Sequence, residues 1–485
     1  MSSFQSAPPT KDAAPFVIPS SIAPVERLWA CETGGWAKRL KEHSKIGRWR
    51  FEIVPDSGSS VLSSSWITDE WVFGYRGSRP AALHLGGDRS LADWAEKRFA
   101  ALDWLWLKVG ESRIDDAHRF DAGGNVLASP PVGGRFPHGR LIVARDMQNS
   151  LKAFLRQQSM QTGPGNSLIE IDTSWLQVGH VDELVAFVPT PAGLGFKIVL
   201  PDPEGGLRIL TQTPPHRALF YGAGSREVAG RVVSGSARRL DVDFGGAREG
   251  SWKYLRIFSG KGAGQLALIR KIQGDVLTIE RVWDLRGPSP SLALRAARSG
   301  RCDSMPIWFD VPDATSRFVA VEASQMWLDN SGEEFPAIIT AGELTADAAL
   351  WKTASRSGDH LAVIAKFVIE GLGIAPERVV RLPVVCHGDE VGEAVGALLP
   401  NPVNLVNLDG DALLLRPFGP RWNPKDDDSD LFATAWKDRL SSESASLQLL
   451  DGWNSLHRLN GGARCGINVQ RKLPKATVAI PKEEQ

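Results

Sequence analysis

Short apolar runs of strand length alternate with segments of helical period along most of this chain. Val25 to Ala30 reads as a strand, Trp36 to His43 as an amphipathic helix and Arg50 to Val54 as a second strand. The alternation returns at Arg140 to Ala144, a strand, at Asp146 to Gln157, a helix with Asp146 placed to cap it, and at Leu168 to Ile171. Such alternation predicts an α/β body.

The pattern changes between about Arg226 and Ile339. There, short apolar alternations such as Trp252 to Phe258 and Asp275 to Glu280 are separated by Gly- and Ser-rich turns, which predicts an inserted β-rich module. Gly260 to Gly264 lacks the spacing of a phosphate-binding loop and reads as one of those turns. Helical period resumes at Ala362 to Glu370, stopped by Gly371 and Gly373, followed by strands at Arg378 to Leu382 and Val403 to Leu408. The expected division is therefore a disordered arm over 1–21, a first part of the main domain over 22–220, the β-rich module over 221–340, a second part over 341–474 and a tail over 475–485.

Composition narrows the possible functions. The 485 residues carry 56 basic and 56 acidic side chains, so no global field recruits nucleic acid, and no run of ~18 apolar residues is present to span a bilayer. The first residues have neither the basic start nor the apolar stretch of a secretory signal. Cys31, Cys302, Cys386 and Cys465 are scattered without a C-x-x-C pair, which argues for reduced thiols in a cytoplasmic protein over zinc or disulfides. Asp426 to Asp430 lacks the glycine and closing glutamate of a calcium loop and reads as a solvated helix start. His387 and Asp389 repeat a His-x-Asp spacing but receive no role.

Three distant segments carry candidate chemistry. Cys465 follows Gly461-Gly462, where a tight turn can expose a sulfur, and adjoins Arg464, whose charge favours a thiolate if it points the same way. His180 and Asp182 stand two apart, on one face if the segment is a strand. Asp69 follows Trp66 by three. A thiolate suits attack on a guanidinium carbon, a histidine can protonate departing ammonia and then activate water, and two carboxylates can grip a planar cation while an indole covers its face. Taken singly, each residue also fits a bland role: Cys465 as a buried thiol, His180 and Asp182 as loop supports, Trp66 as core and Asp69 as a turn residue.

Together the segments resemble the protein-arginine deiminase family. The resemblance rests on Trp66-Ile67-Thr68-Asp69-Glu70-Trp71-Val72-Phe73-Gly74-Tyr75, on Gly124 to Pro131, on Trp175 to Pro189, on Val403 to Pro420 and on Gly461 to Pro474, in the family's order. It implies a five-bladed, pseudo-symmetric α/β propeller (the pentein fold) carrying the β-rich insertion. It makes Cys465 the nucleophile, His180 the acid and base, and Asp69 and Asp182 the guanidinium anchors. Trp66 and Val178 would wall the pocket, and Arg89 would hold a substrate carbonyl. The implied reaction converts peptidyl arginine, in a protein or peptide partner, to citrulline.

The family's active-site calcium uses positions that are Thr68, Val72 and Leu127 here, and two aliphatic side chains there remove charge and donors. Little calcium dependence is therefore expected, and no metal ligand is assigned. The animal members' immunoglobulin-like domains have no counterpart before Val25, and the insertion has none in those members. Two other readings stay open: a deiminase or amidinotransferase for free arginine or another small guanidine, and a catalytically silent scaffold.

Overall fold

The structure, a computed structural model, describes residues 15–473 except 33–34, 44–48, 56–65, 86–88, 110–118, 192, 221, 223–224, 246–249, 288, 389–393, 424–425 and 442–445. Most of it repeats one small motif five times. In each unit an antiparallel strand pair is followed by a helix and then by a strand that returns parallel to the pair's inner member. The second unit pairs Trp71–Arg76 with Arg79–His84, runs through helix Arg89–Ala101 and adds Leu105–Lys108. The third uses Val126–Ala128, Leu141–Ala144, helix Asn149–Gln158 and Ile169–Ile171. The fifth uses Val406–Leu408, Asp411–Leu415, helix Leu431–Ser441 and Ser446–Leu450.

The first and fourth units depart from local order. In the first, Val25–Cys31 pairs parallel with Arg50–Val54 across helix Trp36–Glu42, but its antiparallel partner is Ile467–Arg471 from the other end of the chain. In the fourth, Ala186–Pro189 and Phe196–Asp202 lead into helix Pro203–Thr211, and the parallel strand Val379–Pro383 arrives only after the insertion and the 25-residue helix Ala348–Leu372. That helix ends at Gly373, whose left-handed φ of 64° suits a residue without a Cβ, while Gly371 stays inside it.

Asparagine side chains and loop amides tie each unit to the next. Asn468 Nδ2 donates to Trp71 O (2.6 Å), Gly124 N to Asp69 Oδ1 (3.2 Å) and Val181 N to Asn125 Oδ1 (3.0 Å). Asn407 Nδ2 donates to Phe187 O (2.7 Å), and Arg471 Nη2 returns to Asn407 O (2.8 Å). The five units thus form a closed ring, the α/β propeller that the resemblance implies.

The insertion is a closed barrel. Six strands, Glu227–Ser236, Arg239–Asp243, Tyr254–Ser259, Gln265–Gln273, Val276–Asp284 and Arg317–Val321, pair edge to edge, and Arg239–Asp241 meets Val276–Thr278 to complete the circle. Alternation gives the barrel two apolar faces. Leu255, Ile257, Phe318 and Ala320 fill its interior, while Tyr254, Val319 and Val321 pack into the core shared with the ring. The turn at Gly260–Gly264 joins two of these strands, as expected.

Arg256 leaves the barrel on the docked side, is buried, and donates through Nε (3.0 Å) and Nη2 (2.7 Å) to Glu343. Glu343→Gln leaves that guanidinium buried and uncompensated, so a loss of about 3–5 kcal/mol of stability is expected in denaturant titration.

Several expectations are corrected. Asp146 caps nothing: the helix begins at Asn149, and Asp121 accepts from Gln148 N (2.8 Å) in front of it. Asp430 is buried and not solvated, and its carboxylate accepts from the amides of Gly419, Phe432 and Ala433. Asp389 lies outside the described residues.

Candidate active site

The segments nominated by sequence converge where the first, second, third and fourth units meet the fifth. Asp69 sits on the single-turn helix Ile67–Glu70, immediately before its strand. Its neighbour Thr68 draws in the Cys465 segment: Thr68 N donates to Cys465 O (3.3 Å), and Thr68 Oγ1 lies 2.6 Å from Arg464 O and 3.1 Å from Ile467 O. Gly124 closes over the carboxylate. A Cβ there would stand 2.7 Å from His180 Nδ1 and 2.9 Å from Asp69 Oδ1, so only glycine lets these two groups face each other.

His180 and Asp182 are not on a strand, so the condition for their sharing a strand face is not met. His180 caps a single 3-10 turn, Val181–Glu183, which closes because Glu183 Oε1 accepts from His180 N (2.9 Å). The spacing His-x-x-Glu, the capping-box spacing with histidine as the cap, was the overlooked signal. The imidazole is oriented from both sides: Nε2 lies 3.2 Å from Arg119 O, and Nδ1 lies 3.5 Å from Asp69 Oδ1.

Asn404, not singled out from sequence, joins the halves of the site. Its Oδ1 accepts from Arg464 N (2.9 Å), Cys465 N (3.2 Å) and the Cys465 thiol (3.5 Å), while its Nδ2 donates to Asp182 O (3.4 Å). A polar residue inside the apolar run Val403 to Leu408 was the available clue, because buried amides are held by networks. Asp182 is 1% exposed, yet neither carboxylate oxygen accepts a hydrogen bond among the described residues. Its nearest charged partner is Arg464, with Nε 3.4 Å from Oδ2. Arg464 thus points at Asp182, the alternative to the orientation in which its charge would favour the thiolate.

Burial dominates the ionisation of the site. It pushes Asp182 up to about 6 against the pull of Arg464 and His180, and Glu183 up to about 7 against His180. It also raises Asp69. Burial, then the carboxylates of Asp182 and Asp69, hold the Cys465 thiol well above its ordinary value. For His180 burial acts downward, but Asp69, Asp182 and Glu183 outweigh it and the imidazole is raised.

Cys465 borders a cavity of about 30 Å³ with Val178, Glu183, Asn404, His457 and Gly461, room for one water and too little for an arginine side chain. The Trp66 indole packs against Gly461, where a Cβ would fall 2.0 Å from it. Arg89 opens its helix, but its side chain lies outside the described residues.

The calcium positions do not fit that ion. Thr68 spends its hydroxyl on two carbonyls, and Val72 and Leu127 are buried aliphatics lining a cavity of about 70 Å³ that also holds Arg464 and Arg471. Among the described residues no group of three or more His, Cys, Asp or Glu is placed to hold a metal.

A ring of five ββαβ units with a thiol, an imidazole and two acids near its centre defines the pentein class of α/β propellers. The chain belongs to the protein-arginine deiminase family, whose profile matches residues 12–232 and 316–476, interrupted within the barrel. It is 28% identical to human protein-arginine deiminase type-1 over 221 residues, covering 41% of this chain and 32% of that one. It is 27% identical to rat type-4 over 232 residues, covering 43% and 34%. The matched segment spans about a third of these relatives' length. Among solved structures, the C. jejuni agmatine deiminase aligns over 96% of this chain and 98% of its own at a TM-score of 0.42 and 10% identity. No helix among the described residues is long and apolar enough to cross a membrane.

Proposed function

We propose that this chain is a deiminase that hydrolyses the guanidinium of peptidyl arginine to the ureido group of citrulline, releasing ammonia. The observation that carries the reading is Asp182, a buried carboxylate whose oxygens accept no hydrogen bond among the described residues and face Arg464 Nε at 3.4 Å, close enough to Cys465 and Asp69 for their charges to act on one another. A planar cation with N–H groups on both edges satisfies both acids at once.

The cavity beside Cys465 must widen beyond its volume of about 30 Å³ to admit the substrate; bound between the two acids, the cation then offsets the negative charge that keeps Cys465 protonated, and the thiol proton leaves to solvent. The sulfur attacks the guanidinium carbon. The C–N bond breaks as the imidazolium of His180 protonates the departing nitrogen, leaving a thiouronium on Cys465. His180 then takes a proton from water, whose oxygen adds to the carbon. The C–S bond breaks, the thiol is restored, and guanidinium plus water has become ureido plus ammonium.

Citrulline formation from a blocked arginine peptide, compared with free arginine and agmatine, tests the reading. Preference for the peptide is expected. Preference for a small guanidine would replace the substrate assignment, and inactivity on all three would leave the silent-scaffold reading. Because the calcium positions lack donors, turnover in excess chelator should equal turnover with added calcium, as an ammonia-release assay reads.

A further inference from the structure

Arg464 remains unexplained by this chemistry. It precedes Cys465, its side chain is largely buried, and it reaches Asp182 and the 70 Å³ cavity lined by Thr68, Val72 and Leu127. Every carboxylate needed to hold a metal is missing from that cavity, and a second guanidinium, that of Arg471, lines it while donating to Ala23 O and Asn407 O. The space therefore carries fixed positive charge supplied by the chain. A cation close behind an anchoring carboxylate stabilises its charged form in a medium too dry to do so by hydration.

We propose, on the basis of the deiminase reading, that Arg464 is a positioning residue, a built-in cation that stands where a metal ion would otherwise act and holds Asp182 in its anchoring form. The side chain is itself located by the bonds already described: its backbone N–H is held by Asn404, and its carbonyl by the Thr68 hydroxyl. Asn404 also holds the Asp182 carbonyl, so one amide fixes both members of the ion pair. Arg464 is not a competitor for the substrate on this account, because it approaches Asp182 through Nε at 3.4 Å and extends into the rear cavity. The other ionisable groups that face Asp182 are His180, which also favours its charge, and Asp69, Glu183 and the Cys465 thiol. Removing Arg464 leaves three acidic neighbours against one imidazole.

The test separates the electrostatics from the reaction. In a Cys465→Ala background, which cannot turn over, binding of a blocked arginine amide is followed by calorimetry from pH 4.5 to 8. Binding should weaken as pH falls through the Asp182 transition. Arg464→Met should move that midpoint upward by about one pH unit or more, while Arg464→Lys, which keeps the charge, should hold it close to the parent. A merely structural role would weaken binding at every pH without moving the midpoint. An unmoved midpoint in Arg464→Met overturns the inference alone, and so does tighter binding across the range, which would mark Arg464 as a competitor. Absence of binding by the Cys465→Ala protein at any pH overturns this inference together with the deiminase reading.

Discussion

Replacing Cys465 with serine is expected to abolish turnover, lowering kcat by about four orders of magnitude or more. A guanidinium carbon is deactivated by delocalised charge, and a hydroxyl offers it almost no anionic nucleophile near neutral pH, whereas a thiol whose negative surroundings are offset by bound substrate does. No other cysteine is placed to substitute: Cys31, Cys302 and Cys386 do not border the cavity beside Cys465. The variant should still bind a blocked arginine amide with an affinity near that of the parent, because both acids remain. Acid quenching during turnover, followed by peptide mass analysis, should find the covalent adduct on Cys465 in the parent only. Turnover by the serine variant within tenfold of the parent would remove the mechanism.

Asp182→Asn should lower kcat/KM on the order of 10²–10³-fold, since it deletes one charge-assisted clamp on the substrate cation without changing shape. Stability should change little, because relief of a buried carboxylate that burial holds at about 6 is set against loss of its ion pair with Arg464. Lower activity with an unreduced Tm is the signature of a group retained for binding, whereas a structural carboxylate would lose both. Its pH dependence follows from direction. The folded Asp182 lies at about 6, so in the parent kcat/KM falls as pH drops through that value and the carboxylate protonates. The variant should lack that limb.

Local pattern exposed part of this architecture. The strands at Val25–Cys31 and Arg50–Val54 and the helix between them follow from periodicity, as do the third unit and the β character of the insertion. The fivefold repetition does not. It is conserved as topology while the residues differ, and two units are completed by distant partners, Leu28 with Val469 and Val199 with Val380. A period-two run also cannot say which strand it will join, so the closure of the barrel was hidden. At the site, Cys465, His180, Asp69 and Asp182 were nominated through resemblance, and the geometry gathers them. What sequence missed were the connecting groups, Asn404, Gly124 as a spacer and the turn-closing role of Glu183, whose meaning exists only between segments.

The position of Ile467–Arg471 has a consequence for how the protein comes into being. Translation proceeds from the N-terminus, so Val25–Cys31 leaves the ribosome long before its neighbour exists and must wait with an open edge. Cys465 lies two residues ahead of that late strand. Closing the ring and completing the surroundings of Cys465 are therefore a single event, so that on the deiminase reading activity is expected only once the chain has folded.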